Sequence, residues 1–263
     1  MTLDFAGMKT PGHVSAAVRQ LYGTDLPVAG GVIHPTAVWQ APDGRFLTLR
    51  INADTPRSRH DRFALNLCRA RADALVTTGR ILREESLLSP DLLGDGPEVR
   101  ALAAWRREVM GRPDQPLALV LTSGRGLDLD HPFFHAAATP IILTGHEAAE
   151  SLMPGALARS IEIVDRDRPS IYSALDYLRN EAACRTVTIE AGPSTSRSLY
   201  RPVLEVDELL LSVYRSPGLP QSVAGGEFLP SSELQDLFPT RSQPFPVSDP
   251  GPWVLQRLLG PGR

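Results

Sequence analysis

Short apolar runs bounded by turn residues recur along the chain. Asp73–Thr77, Leu117–Thr122, Pro140–Thr144, Ser160–Val164 and Thr186–Glu190 each have the length of a strand, and Asp207–Tyr214 is the longest of the set. Between them apolar residues return at helical spacing: Phe63, Leu67 and Ala70 within His60–Arg71, and Ile171, Ala174, Leu175 and Leu178 within Ile171–Ala182. Shorter helices are predicted over Ile81–Leu88, Val99–Val109 and Ser194–Leu204, with a helical patch at Val14–Tyr22. Thr36–Gln40 and Arg45–Ile51 read as a hairpin, because Ala41-Pro42-Asp43-Gly44 between them is turn chemistry. Trp253–Leu258 is a last strand. Apolar strands interleaved with helices predict an α/β protein of three layers, its mixed sheet mostly parallel and covered by helices on both faces.

No internal repeat and no composition break divides the chain. The expected organisation is an irregular extension over residues 1–35 followed by one α/β domain over 36–263, a size one sheet can serve. Residues 216–250, rich in Pro, Gly and Ser, are expected as ordered loop.

Charge adds little. The formal net charge is −3, which offers no attraction to nucleic acid or anionic membrane. Lys9 is the only lysine among 27 basic residues, a bias that a GC-rich genome explains. Cys68 and Cys184 stand far apart in apolar surroundings and are expected as buried free thiols. No signal-like start and no apolar run of membrane-spanning length is seen, so a cytoplasmic protein is expected.

Candidate chemistry gathers at strand ends. In Glu190-Ala191-Gly192-Pro193-Ser194-Thr195-Ser196 a strand ends in an acid, turns through small residues and enters a helix. Free N–H groups at such a start, the close approach Gly192 permits, and the hydroxyls of Ser194, Thr195 and Ser196 suit a phosphate; ordinary helix capping gives the same pattern. Thr78-Gly79-Arg80 makes a second such turn, and two together suit a dinucleotide. Arg69 closes a helix, where a cation is favourable in any case. Glu190 is the best-placed acid to meet a substrate. The six histidines show no metal-ligand spacing, and no metal site is expected; the Gly-x-Ser-x-Gly elbow of serine hydrolases is absent.

Three of these segments, in order, resemble the NADPH-dependent pyrimidine reductase family of riboflavin biosynthesis, which has a dihydrofolate-reductase-like fold. They are Arg69-Ala70…Asp73-Ala74-Leu75 running into Gly79, then Glu190-Ala191-Gly192-Pro193-Ser194, then Val206-Asp207-Glu208-Leu209. Pro116–Ser123 is similar to the family strand that precedes a cofactor-contacting serine. The resemblance implies NADPH as cofactor, bound by Thr78, Gly79, Glu84, Ser123, Arg125, Gly192, Pro193, Ser194, Thr195 and Ser196. It implies a ribosylaminopyrimidine phosphate or similar heterocycle as substrate, met by Arg69, Glu190, Ser58 and Leu88, with Glu190 in the catalytic role. It also implies a homodimer formed through a strand such as Val206–Tyr214. Arg125, on the loop after Ser123, is expected to read the cofactor's 2′-phosphate.

The sequence departs from the family at several places. Arg80 replaces a threonine, Ser86 a proline and Asp91 an arginine, and the family's motif after its first strand is missing. No Cys-x-x-Cys or His-x-Glu marks a deaminase half. Two readings follow: a reductase of this type, or a divergent homodimeric member of the same fold that binds a nucleotide, or merely dimerises, without the pyrimidine reductase activity.

Overall fold

The computed structural model describes residues 2–27, 30–248 and 251–261. In chain order these form α1 (Pro11–Tyr22), β1 (Gly31–Gln40), β2 (Phe46–Leu49), α2 (Arg59–Arg71), β3 (Ala74–Thr78), α3 (Gly79–Glu84), α4 (Pro97–Glu108) and β4 (Leu117–Leu121). Then come α5 (Pro132–Ala136), β5 (Pro140–Thr144), α6 (His146–Leu157), β6 (Glu162–Asp165), α7 (Ile171–Asn180), β7 (Thr186–Ile189) and α8 (Pro193–Ser196). A 3-10 turn (Arg197–Leu199) leads to β8 (Glu208–Tyr214), β9 (Ala224–Glu227), α9 (Ser231–Leu237), β10 (Thr240–Arg241), β11 (Phe245–Val247) and β12 (Trp253–Leu259).

The strands join in one sheet with the order β10-β12-β8-β1-β7-β3-β4-β5-β6. From β8 to β6 every neighbour is parallel, while β12 runs antiparallel to β8 and β2 returns antiparallel on β1. Alternation along the strands sends successive side chains to opposite faces. Val76, Leu119, Ile141, Val187 and Ile189 pack on one face with Leu175 and Leu178 of α7 and Leu234 of α9. On the other face Ile33 and Leu210 meet α1, α2 and α4 through Val18, Leu67 and Trp105, while Leu75, Val120 and Ile142 meet Leu82, Phe133 and Ala156 of α3, α5 and α6. This is the expected three-layer arrangement, its sheet parallel at the centre and antiparallel at one edge.

The differences lie where local signals compete with tertiary contacts. Strand β1 begins at Gly31, inside the stretch expected to be irregular, because Pro35 reads locally as a break. Gly31 donates its N–H to Arg185 on the β7 side and Val32 to Asp207 on the β8 side. Odd positions therefore face β7, whose pairing with β1 ends at Ile33, so the missing N–H of Pro35 removes no ladder bond. Helix α1 is likewise part of the core: Trp105 of α4 donates its indole N–H to Ser15. The helix expected over Ser194–Leu204 stops at Ser196 and tightens into the 3-10 turn. There the Ser196 and Ser198 hydroxyls donate back to the carbonyls of Ala191 and Thr195, which competes with helical continuation, and Pro202 follows. Helix α6, unforeseen, carries Pro154 and Gly155 inside it and is held by packing of Ala149 and Ala156. The 216–250 stretch holds α9 and short strands, and its last two residues lie outside the described ones.

Candidate functional site

Strands β3, β4 and β7 lie near the middle of the parallel sheet, and their C-terminal ends open on one crevice, the usual ligand position in an open parallel sheet. Glu190 follows the last residue of β7 and gives its N–H to the Val76 carbonyl of β3. Strand alternation turns its side chain away from α7 and toward α2, where Arg69 waits in the last turn.

The two form a bidentate ion pair: Arg69 Nε donates to Glu190 Oε1 at 2.8 Å and Nη2 to Oε2 at 2.6 Å. Arg69 is 1% exposed and Glu190 12%, so the carboxylate is the member that keeps some access to solvent. Nη1 of Arg69 donates to the carbonyls of Ser89 and Asp91. Four of the five N–H groups of the guanidinium are thus spent inside the protein. Arg69 therefore holds the acid and the 85–91 loop, where it was expected to meet the substrate itself. A residue the sequence reading passed over, Glu85, completes this cluster. Burial pushes its carboxyl up, the charge of Glu190 adds to the rise, and Arg69 opposes it. Glu84, expected to line the cofactor site, is the last residue of α3, and the chain turns at Glu85. Glu84 lies one turn after exposed Arg80 and pairs with it; Glu85 lies three residues after buried Leu82. That helical register was the signal available.

Beside the acid lies a cleft of about 250 Å³, lined by Thr78, Arg80, Arg83, Leu121, Thr122, Ser123, Pro169, Gly192, Ser194 and Thr195. Five of the residues expected to bind a cofactor are in this lining: Thr78, Ser123, Gly192, Ser194 and Thr195. Gly79 shapes it from behind, since a Cβ there would stand 2.5 Å from Thr122 Oγ1. Ser196 locks the turn through its bond to Ala191, and Pro193 is the first residue of α8, against Gly226 of β9. Glu84 and Arg125 are outside the lining; Arg125 is exposed, and its carbonyl accepts a hydrogen bond from Arg83. Ser58 caps α2 by accepting from the Asp61 N–H and is buried. Leu88 is half-buried against the cluster of Leu82 and Phe133. The structure thus separates these two from the crevice acid in role: one is a cap, the other packing.

Among the described residues no group of His, Cys, Asp and Glu could hold a metal ion, and no helix is long and apolar enough to cross a membrane. Both cysteines are free and buried.

No family model and no curated protein matches the sequence. Solved structures do match the fold. A pyrimidine reductase-like protein from Corynebacterium diphtheriae shares 19% identity over 92% of this chain and 97% of its own, with a TM-score of 0.64. The riboflavin biosynthesis reductase Rib7 of Saccharomyces cerevisiae shares 11% over 93% and 97%, at 0.52. A diaminohydroxyphosphoribosylaminopyrimidine deaminase/5-amino-6-(5-phosphoribosylamino)uracil reductase from Thermotoga maritima shares 14%, at 0.58; 88% of this chain aligns with 57% of that one. The sheet order, the crevice at its centre and these alignments agree: the chain has the fold of the pyrimidine reductases of riboflavin biosynthesis.

Proposed function

We propose that this protein is an NADPH-dependent reductase of a ribosylaminopyrimidine phosphate or a similar small heterocycle. The observation that carries the reading is a hydroxyl- and guanidinium-lined cleft at the ends of β3, β4 and β7, with Glu190, fixed by Arg69, two residues before the lining residue Gly192. The cleft is just below the roughly 300–1,000 Å³ of whole-ligand pockets, which suits the diphosphate and a sugar with the remainder on open surface. When bound, the nicotinamide supplies the hydride that reduces the ring-opened sugar imine. Ser123, Ser194 and Thr195 offer hydroxyl donors to phosphate and sugar oxygens. Glu190, fixed by Arg69, offers an acceptor to a substrate hydroxyl. Glu85 keeps its proton to higher pH than an ordinary glutamate, which suits a group that gives one. The reading includes a cytoplasmic homodimer; light scattering at micromolar concentration giving the mass of one chain would remove the dimer.

One observation favours the second reading, nucleotide binding without pyrimidine reduction. Arg69 and Ser58, expected to meet the substrate, are occupied by Glu190 and by the α2 cap. Thermal unfolding with NADPH followed by a turnover assay separates the cases. A ligand at one hundred times its dissociation constant adds about 2.7 kcal/mol. Stabilisation together with NADPH consumption on the aminopyrimidine supports the reductase. Stabilisation without turnover supports nucleotide binding without reduction, and no stabilisation at millimolar NADPH overturns both nucleotide readings and leaves a member that only dimerises.

A further inference from the structure

Both cations of the cleft lining, Arg80 and Arg83, come from α3, and no acid is among the residues that line it. Arg83 is braced: Nη1 donates to the Arg125 carbonyl at 2.7 Å, and its Cδ lies close under Gly126. That bond ties α3 to the loop that carries Ser123. Arg80 is held differently. Its Nε donates to Glu84 Oε1 at 2.8 Å, one helical turn on, and both side chains are exposed. An exposed pair of this kind is weak and exchanges readily. A phosphate presents more oxygens and more charge to the planar fork of a guanidinium than one carboxylate does.

We infer that Arg80 and Arg83 are the phosphate-binding fork of this cleft and that Glu84 is its built-in competitor, displaced from Arg80 when a phosphate enters. The inference rests on the nucleotide reading only for the identity of the ligand; recognition of phosphate is testable without it. It reassigns two residues. Glu84 opposes the cofactor rather than lining its site, and Arg125 acts through its main chain rather than its guanidinium. The phosphate is either the bridging diphosphate or the terminal monoester of NADPH, which share this chemistry.

The test is calorimetry on the full chain with NADPH, NADH and inorganic pyrophosphate, alongside thermal unfolding of each variant to establish folding. Arg80→Gln and Arg83→Gln are each expected to weaken NADPH on the order of tenfold, the loss of a charged hydrogen bond. Glu84→Gln is expected to tighten it about two- to fivefold, the range of an exposed ion pair. In Arg80→Gln/Glu84→Gln the effect of Glu84 disappears. Arg80→Lys, which keeps the charge and loses the fork, falls between. Equal losses for NADPH and NADH assign the fork to the diphosphate; a loss for NADPH alone assigns it to the monoester. Pyrophosphate that binds through the arginines while NADPH does not would sink the dinucleotide reading and leave the fork standing. Unchanged NADPH and pyrophosphate binding in both arginine variants overturns the fork. Weaker NADPH binding in Glu84→Gln overturns the competitor role.

Discussion

Arg69 and Glu190 show how much one residue's role depends on its partner. Each alone is ambiguous: a cation at a helix end, an acid at a strand end. Together, with Arg69 fully enclosed, they make a fixed carboxylate whose counter-ion cannot leave. Removing one charge from such a pair leaves the other buried and costs about 3–5 kcal/mol. Glu190→Gln is therefore expected to lower unfolding stability by about that amount, read by urea denaturation. NADPH affinity should stay within about threefold, while any reductase rate falls on the order of tenfold to a hundredfold. Collapse of NADPH binding would make Glu190 an anchor of the turn instead. Full stability would mean the guanidinium finds another partner, with Glu85, whose charge already acts on it, a candidate.

At the scale of elements, the crevice depends on how closely strand ends meet. Thr122 Oγ1, which accepts from the Gly124 N–H, stands where a side chain on Gly79 would go. Gly79→Ala must push the end of β4 from the start of α3, at a cost of about 1–3 kcal/mol. Gly192 is the opposite case. Its φ of −63° suits any residue, and a Cβ there meets only Ile81 Cδ1 at 3.7 Å. Gly192→Ala is expected to unfold at the same urea concentration as the unmodified protein. A loss of NADPH affinity in that variant then measures crowding of the ligand itself, and unchanged affinity means no ligand approaches that backbone. Helix α2 is fixed at its C-terminal end by Arg106, whose Nη1 donates to the carbonyls of Arg69, Ala70 and Ala72.

For the molecule as a whole, buried titratable groups set the response to acid. Arg71 and Arg257 both bond Glu208, tying α2 to β8 and β12 through a closed network. Burial opposes the Glu208 charge, but the two guanidiniums outweigh it and hold the carboxyl at about 2. Its folded value lies below its unfolded one, so its contribution is present above the unfolded value and lost as pH falls through the folded one. His34 of β1, bonded to the Tyr200 hydroxyl, is pushed down by burial to about 4. Its unfolded form takes up a proton first, so stability falls from about pH 6.5 down to about 4. The full loss is about 3 kcal/mol, and about 2 kcal/mol of it has gone by pH 5. His34→Gln should flatten urea stability between those limits while leaving the fall at lower pH, where Glu208 titrates. An unchanged pH profile would show that His34 is not buried neutral.

Periodicity by itself determined the class of fold, because strand and helix repeats depend on neighbours in sequence. The pattern over Asp73–Thr77, Leu117–Thr122, Pro140–Thr144 and Thr186–Glu190 already implies a largely parallel sheet. The glycine turns after β3 and β7 were legible for the same reason, as was the resemblance they carry. Tertiary structure decided what local chemistry left open. Pro35 fits a central strand only because β7 stops short of it, and the 194–204 helix ends early because serine hydroxyls find nearer carbonyls. It decided, too, that Arg69 serves Glu190, that Glu85 turns inward while Glu84 turns out, and that Arg83 enters the cleft and Arg125 does not. Each of these depends on contacts between residues distant in the chain, and one-dimensional spacing carries no record of which charge a fold will enclose.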